Sequence, residues 1–198
     1  PINFNKPYLT QSLTEFWRSW HITLSNWFRD YIYIPLGGSK KNNLITNKNL
    51  IITMCIAGLW HGASLNFVLW GFLNGVILCI EKIFNFHISK KNFIRCIINC
   101  FIIFNLWIVF RINEFSIMYE YFTLFYSNIL SILKLDNLLT LIFCVIMIYS
   151  QKFDNFDSLK ILSSKIKLPI LIPFIIVILI VGFSLSLGQS EKFIYFQF

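Results

Sequence analysis

Charge is what this chain lacks most. Charged side chains make up 13% of its 198 residues, and only nine of those residues are acidic. A soluble domain carries about 25% charged residues, so an ordinary water-facing surface is excluded. No Gly-x-Ser-x-Gly, His-Glu-x-x-His, P-loop or Ser-His-Asp arrangement occurs, which excludes the familiar hydrolase, metalloprotease and nucleotide-binding signatures. The five cysteines (Cys55, Cys79, Cys96, Cys100, Cys144) lie in apolar stretches with no ligand at a metal-binding spacing. They read as small hydrophobes. No internal repeat or low-complexity run is present. The polar opening PINFNKPYLT has neither a basic n-region nor an apolar h-region, and no Met begins the chain. A C-terminal portion of a longer polypeptide is the expectation.

What the chain has instead is apolar surface. Hydrophobic residues reach 57% and aromatic residues 18%, with 22 Phe. The net charge of +8 does not form a stripe that would fit nucleic acid. Lys and Arg collect between apolar segments, as in membrane proteins. Those segments fall at about 49–60, 64–80, 96–110, 138–150 and 168–187. A full crossing needs about 20 residues, and only the last segment reaches that. The first would rise only about 18 Å at 1.5 Å per residue. If the first two both start on the basic side, the turn between them sits at membrane depth. The loops 38–48, 81–95 and 151–167 hold most of the Lys and Arg and face the cytoplasm by the positive-inside bias. Segment 111–137 is then an outer loop, and the tail EKFIYFQF ends outside. The fold class expected is all-α, a multi-pass transmembrane helical bundle in the cell's inner membrane.

Residues 1–13 read as a loop, with Thr14 as N-cap of a helix starting at Glu15 and ending at Pro35. Phe16, Trp20, Leu24, Trp27, Phe28 and Tyr31 recur at intervals of three and four, with Arg18, Ser25 and Arg29 on other faces. Such a Trp-rich amphipathic segment lies in the interface or borders a cavity as a re-entrant element. It is too polar to span lipid alone.

Two histidines carry the chemistry. His61 stands in Trp60-His61-Gly62, at the turn between the first two apolar segments. An imidazole at that depth either donates to a backbone carbonyl at a helix end or serves as a general base for a hydroxyl, since desolvation lowers its pKa. Gly62 permits close approach of another group, Ser64 and Asn66 are nearby polar partners, and Trp60 would help line a cavity. His21, in Trp20-His21, either faces solvent or folds back to the same cavity. His87 belongs to a basic loop and solvent. Arg29 either pairs with Asp30 or, with Arg18, Lys40 and Lys41, anchors the phosphates of a coenzyme thioester. Cys55, six residues before His61, is a weaker nucleophile candidate.

The run FWRSWHITLSNWFRDYIYIPLGGSKKN, followed by TMCIAGLWHGASLNFVLWGFLNGVIL, LWIVFRINEF at 106–115 and the terminal FIYFQF, resembles the membrane-bound O-acyltransferase superfamily. Within it, the chain is most similar to the bacterial branch of alginate and peptidoglycan O-acetyltransferases. The resemblance implies that residues 1–198 are the C-terminal part of one membrane domain whose N-terminal helices are missing. It implies a central cavity, with an acyl group taken from a cytoplasmic donor, acetyl-CoA, and no bound cofactor or metal. The acyl group would pass across the membrane to a cell-envelope polysaccharide or an extracytoplasmic acyltransferase partner. His61 takes the place of the family's essential histidine, as base or transient acyl carrier, and His21 that of its second one. Asn66 would polarise the carbonyl, while Arg18, Arg29 and Lys40 would hold the donor. Relatives often carry a His-Gly pair where this chain has Asn74-Gly75. D-alanyl transfer to teichoic acid in the same family, a non-enzymatic transporter and an inactive remnant are the alternatives.

Overall fold

The computed structural model describes residues 2–40, 42–84, 92–128, 135–153 and 176. The chain divides into two units, Pro1–Phe153 and Asp154–Phe198; of the second, residue 176 alone is described. The predicted apolar segment at 168–187, the tail, His87 and most of loop 151–167 lie outside the described residues. Among the described residues the first unit is all helical: α1 (Leu13–Ser19), α2 (Ile22–Phe28), α3 (Asn43–Leu59), α4 (Leu65–Ile83), α5 (Phe93–Arg111), α6 (Phe115–Ser127) and α7 (Leu135–Ser150).

The first helix starts earlier than Thr14 because Ser12 takes the cap. The Ser12 hydroxyl accepts from the Glu15 N–H at 3.1 Å, and the Glu15 carboxylate accepts from the Gln11 N–H at 2.9 Å. Ser12-x-x-Glu15 is thus close to a capping box. The continuous helix expected from Glu15 to Pro35 is broken. Trp20 is extended and His21 left-handed, with φ 44° and ψ 53°, so α1 and α2 meet at a turn. Asn3 holds that turn from outside. Its carbonyl accepts from Ile22 N–H at 2.9 Å, and its side-chain oxygen accepts from Thr23 N–H at 3.0 Å. Asn3 therefore supplies the cap that the His21 side chain does not make. After α2 the chain winds one π turn, Arg29–Tyr33, and reverses through Gly37 and Gly38 at φ 112° and 53°.

Helices α3 and α4 form an antiparallel hairpin at very short separation. A Cβ on Gly71 would collide with the Met54 carbonyl, one on Gly58 with the Phe67 carbonyl, and one on Gly75 with the Ile51 backbone. Small residues four apart on one face allow this approach. The hairpin is longer than predicted. Asn42 caps α3 by accepting from Ile45 N–H at 2.9 Å, so the polar stretch 43–48 is helical rather than loop. At 17 residues α3 rises about 26 Å, and at 19 residues α4 rises about 28 Å.

Polar side chains are buried on helices that leave many large apolar side chains exposed. In α3 the buried side chains are Thr46, Asn49, Thr53 and Ala57, while Leu44 is 80% exposed. Asn49 donates to the carbonyls of Leu36 and Gly38, both at 3.2 Å, which ties the glycine reversal to α3. In α5 Asn99 is buried and donates to Thr10 and Ser12, whereas Phe93, Ile94, Ile97 and Ile98 are exposed. Contiguous apolar faces of this kind mark contact with lipid or protein rather than water. Both α4 and α5 are long and apolar enough to cross a membrane. The core proper joins α1, α4, α5 and α6 through Leu13, Phe16, Trp70, Ile103, Leu106, Val109 and Met118. Helix α6 occupies the segment expected to be an outer loop. Its short aromatic run FSIMYEYFTLFYS buries Met118, and at 13 residues it was too brief and too acidic at its start to read as a span.

Candidate active site

The hairpin turn fixes His61. Its N–H donates to the Gly58 carbonyl at 3.0 Å and the Gly62 N–H to the Leu59 carbonyl at 3.1 Å. Gly62 has φ 152°, and a Cβ there would stand 3.0 Å from the Phe67 ring. Glycine is required at this corner. The imidazole sits among four aromatic rings. Trp60 and Phe110 approach edge-on with centroids at 4.8 Å, Trp70 edge-on at 5.7 Å, and Phe67 tilted at 6.1 Å.

The turn lies beyond the ends of both hairpin helices. There, burial and the nearby His21 charge lower the His61 pKa from 6.5 to about 4. Withdrawal from water penalises the cation, so the ring is neutral at pH 7. Among the described residues no group hydrogen-bonds to the His61 ring. The alternative of a donor to a backbone carbonyl is therefore not what the ring does within this part of the chain.

A cavity of about 480 Å³ opens against His61. Along α3 its wall follows Thr46, Leu50, Thr53, Ala57 and then His61, positions that recur on one helix face. From Thr46 to His61 that face extends about 22 Å. Helix α1 adds Trp17 and Arg18, α2 and the π turn add Ser25 and Arg29, and α4 adds Trp70 and Lys82. Arg18 and Lys82 bring positive charge to a wall that is otherwise mostly apolar.

The predicted residues are not all gathered here. His61, Arg18 and Arg29 line the cavity. Arg29 also pairs with Asp30 at 2.7 Å at an exposed position, an arrangement that raises the guanidinium pKa and lowers that of Asp30 through the shared hydrogen bond. His21 stands close enough to act electrostatically on His61, and its Nδ1 is buried with no partner among the described residues. Lys40 is exposed and outside the wall, and Trp60 is exposed beside His61.

Asn66 stands apart from this wall. It is fully buried, and its amide donates to the Phe110 carbonyl at 3.0 Å, tying α4 to the end of α5. It is not among the residues that line the cavity. Cys55 is absent from the wall as well.

Several residues that matter were not singled out in the sequence. Trp17 and Trp70 form part of the wall; Asn74, noted in the sequence only as standing where relatives carry a histidine, is buried behind them. Glu81, nearly buried in an apolar helix, accepts from the N–H groups of Leu13 and Thr14. The pairing of a lone Glu with a polar helix start was the available signal.

The model of the membrane-bound O-acyltransferase family matches residues 1–121. A probable alginate O-acetylase of Pseudomonas fluorescens is 44% identical over 117 residues, 58% of this chain and 24% of that protein. The peptidoglycan O-acetyltransferase of Helicobacter pylori is 40% identical over 116 residues, 56% and 22% of the two chains. A teichoic acid D-alanyltransferase of Streptococcus thermophilus is 37% identical over 88 residues, 41% and 21%. The chain covers about a quarter of the length of the curated relatives it matches.

Proposed function

This chain belongs to the membrane-bound O-acyltransferase family, and from that premise we propose that it supplies the histidine-bearing part of an integral-membrane O-acyltransferase. Its apolar helices are part of a multi-pass bundle in the inner membrane. The observation that carries the reading is the His61 ring, set in an aromatic box against a cavity whose wall also bears Arg18, Arg29 and Lys82.

In this reading acetyl-CoA is the donor. Its phosphates lie toward the guanidinium and ammonium groups, which offer charge-assisted hydrogen bonds, and its thioester reaches His61. The imidazole takes the proton of the accepting hydroxyl as that oxygen attacks the thioester carbonyl. A C–O bond forms, the C–S bond breaks, and the leaving sulfur receives the proton from the imidazolium. The aromatic rings keep water, a competing acceptor, away from the carbonyl. His21 helps by its field on the same proton. The relatives' names point to a cell-envelope polysaccharide as final acceptor, reached directly or through an extracytoplasmic acyltransferase.

The test uses the full-length protein in membranes, with label on either the acetyl group of acetyl-CoA or a D-alanyl carrier. Label moves from acetyl-CoA, and His61→Ala stops it without lowering the amount of protein in the membrane. Transfer retained by His61→Ala overturns the base role. Label moving only from the D-alanyl carrier assigns the teichoic acid reaction. Passage of substrate with no covalent transfer assigns a transporter.

A further inference from the structure

Trp70 has two sides in this structure. One edge meets the His61 ring at 5.7 Å and 90°, and the same side chain, only 4% exposed, forms part of the cavity wall. Among the described residues it is the first of α4 to reach that wall. Whatever group lies beside His61 therefore lies against Trp70. Phe67 and Phe110 pack behind, 4.9 Å from each other, and Phe110 stands 5.2 Å from Trp70, so the indole is backed by rings and has no room to retreat.

Trp17 completes the wall from α1. It meets Trp70 edge-on at 5.7 Å and lines the same cavity. Its orientation is set by Asn74, which is 1% exposed. The Asn74 amide donates to the Trp70 carbonyl at 2.8 Å, one turn back along α4. That bond turns the Asn74 side-chain oxygen toward α1, where it accepts from the Trp17 indole N–H at 3.1 Å. Both halves of the amide are used, as a buried Asn demands. An apolar residue at 74 would leave the indole N–H without this partner and free Trp17 to turn.

We infer that Trp70 and Trp17 are the residues that limit the size of the acyl group accepted beside His61, with Asn74 as the positioning residue that locks Trp17. The limit admits a two-carbon acyl group and excludes longer ones, because a hydrophobic chain extending from the carbonyl meets the indole rather than open space. One methylene more or less in an apolar pocket changes specificity about 10–200-fold, and a wall that cannot retreat places that cost on the longer chain. The inference rests on the acyl-transfer reading above.

The experiment measures transfer from acetyl-, propionyl- and butyryl-CoA by full-length protein in membranes. The unsubstituted protein transfers acetyl and discriminates against butyryl. Trp70→Phe keeps an aromatic core residue but shortens the wall, and raises the butyryl-to-acetyl ratio at least fivefold. Asn74→Leu moves the ratio the same way by a smaller factor, while Asn74→Gln, which can remake both hydrogen bonds, restores much of the discrimination. Ala57→Leu, which adds bulk to the α3 wall of the same cavity, lowers butyryl use further. A ratio unchanged in folded Trp70→Phe and Asn74→Leu overturns the size limit while the acyltransferase reading stands. Failure of the unsubstituted protein to transfer any acyl group removes both.

Discussion

The Glu81 carboxylate accepts from the Leu13 N–H at 2.5 Å, across 68 positions of sequence. Its other oxygen accepts from the Thr14 N–H at 2.9 Å and the Thr14 hydroxyl at 2.8 Å. The end of α4 thereby satisfies N–H groups at the start of α1, which have no partner inside their own helix. Helix α1 is only seven residues long and cannot stand alone. Its grip on α4 decides where Trp17 and Arg18 point.

Removing that grip costs stability in a fixed order. Glu81→Ala leaves the buried Leu13 N–H and the part-buried Thr14 N–H unpaired and lowers stability by about 1.5–3 kcal/mol, the range for hydrogen bonds to a charged group. Glu81→Gln keeps one acceptor and loses about half as much. Thr14→Ala removes only the hydroxyl and costs about 1 kcal/mol. Thermal unfolding of the detergent-purified protein checks the order. Equal Tm values for Glu81→Ala and the parent would show that α1 is held by something else.

The hairpin seam gives a second prediction. A Cβ at Gly71 has no space, because it would meet the backbone of Met54 and Cys55 rather than a flexible side chain. Gly71→Ala must push α3 and α4 apart and costs about 1–3 kcal/mol or more. The two helices carry His61 between them, so activity falls with stability. Crosslinking of the native Cys79 to a cysteine placed at Asn47, whose carbonyl lies 3.5 Å from the Cys79 sulfur, would report the separation, and an undiminished yield in Gly71→Ala would contradict it.

His21 allows backbone strain and chemistry to be separated. A left-handed conformation costs a non-glycine residue about 1–2 kcal/mol. His21→Gly relieves that cost, so its Tm matches or exceeds the parent while acyl transfer falls for want of the imidazole. His21→Val fits the turn badly and lowers both. If His21→Gly retained full transfer, the ring would have no part in the reaction.

Much of this was legible in residue order because membrane burial leaves a plain record. The apolar stretches at 96–110 and 138–150 became α5 and α7 nearly as drawn, and the Trp60-His61-Gly62 turn fell between two helices. Polar residues misled in three places. Asn42 through Lys48 looked like loop, yet Thr46 and Asn49 are buried on the inner face of α3, where a membrane helix puts its polar side. The break at Trp20-His21 left no mark, since the periodicity of apolar residues runs straight through it and only Asn3, seventeen or more positions away, supplies the missing cap. Asn66 looked available for a ligand, but its partner, the Phe110 carbonyl, is set by tertiary packing. Long-range partners of single amides are invisible to spacing.

The depressed His61 pKa has consequences for pH. Unfolded, the imidazole binds a proton below about 6.5; folded, it does so only below about 4. Between these values the unfolded chain holds more protons, so stability rises with pH there. The contribution is complete above about 6.5, is lost as pH falls toward 4, and changes no further below that. Transfer follows the folded value. A base that stays neutral down to about 4 keeps the rate nearly level as pH drops from 7 to 5, where an ordinary histidine would lose most of it. His61→Gln should flatten the stability profile between 6.5 and 4 relative to the parent, read as Tm against pH in detergent. Replacing His21 by Asn, which removes the neighbouring charge but tolerates the left-handed turn, should move the lower edge of the rate profile upward in pH. The direction is fixed because the His21 cation opposes a second positive charge at His61. An activity edge that stays at 6.5 in the parent would mean that His61 is solvated during turnover and that its aromatic box opens.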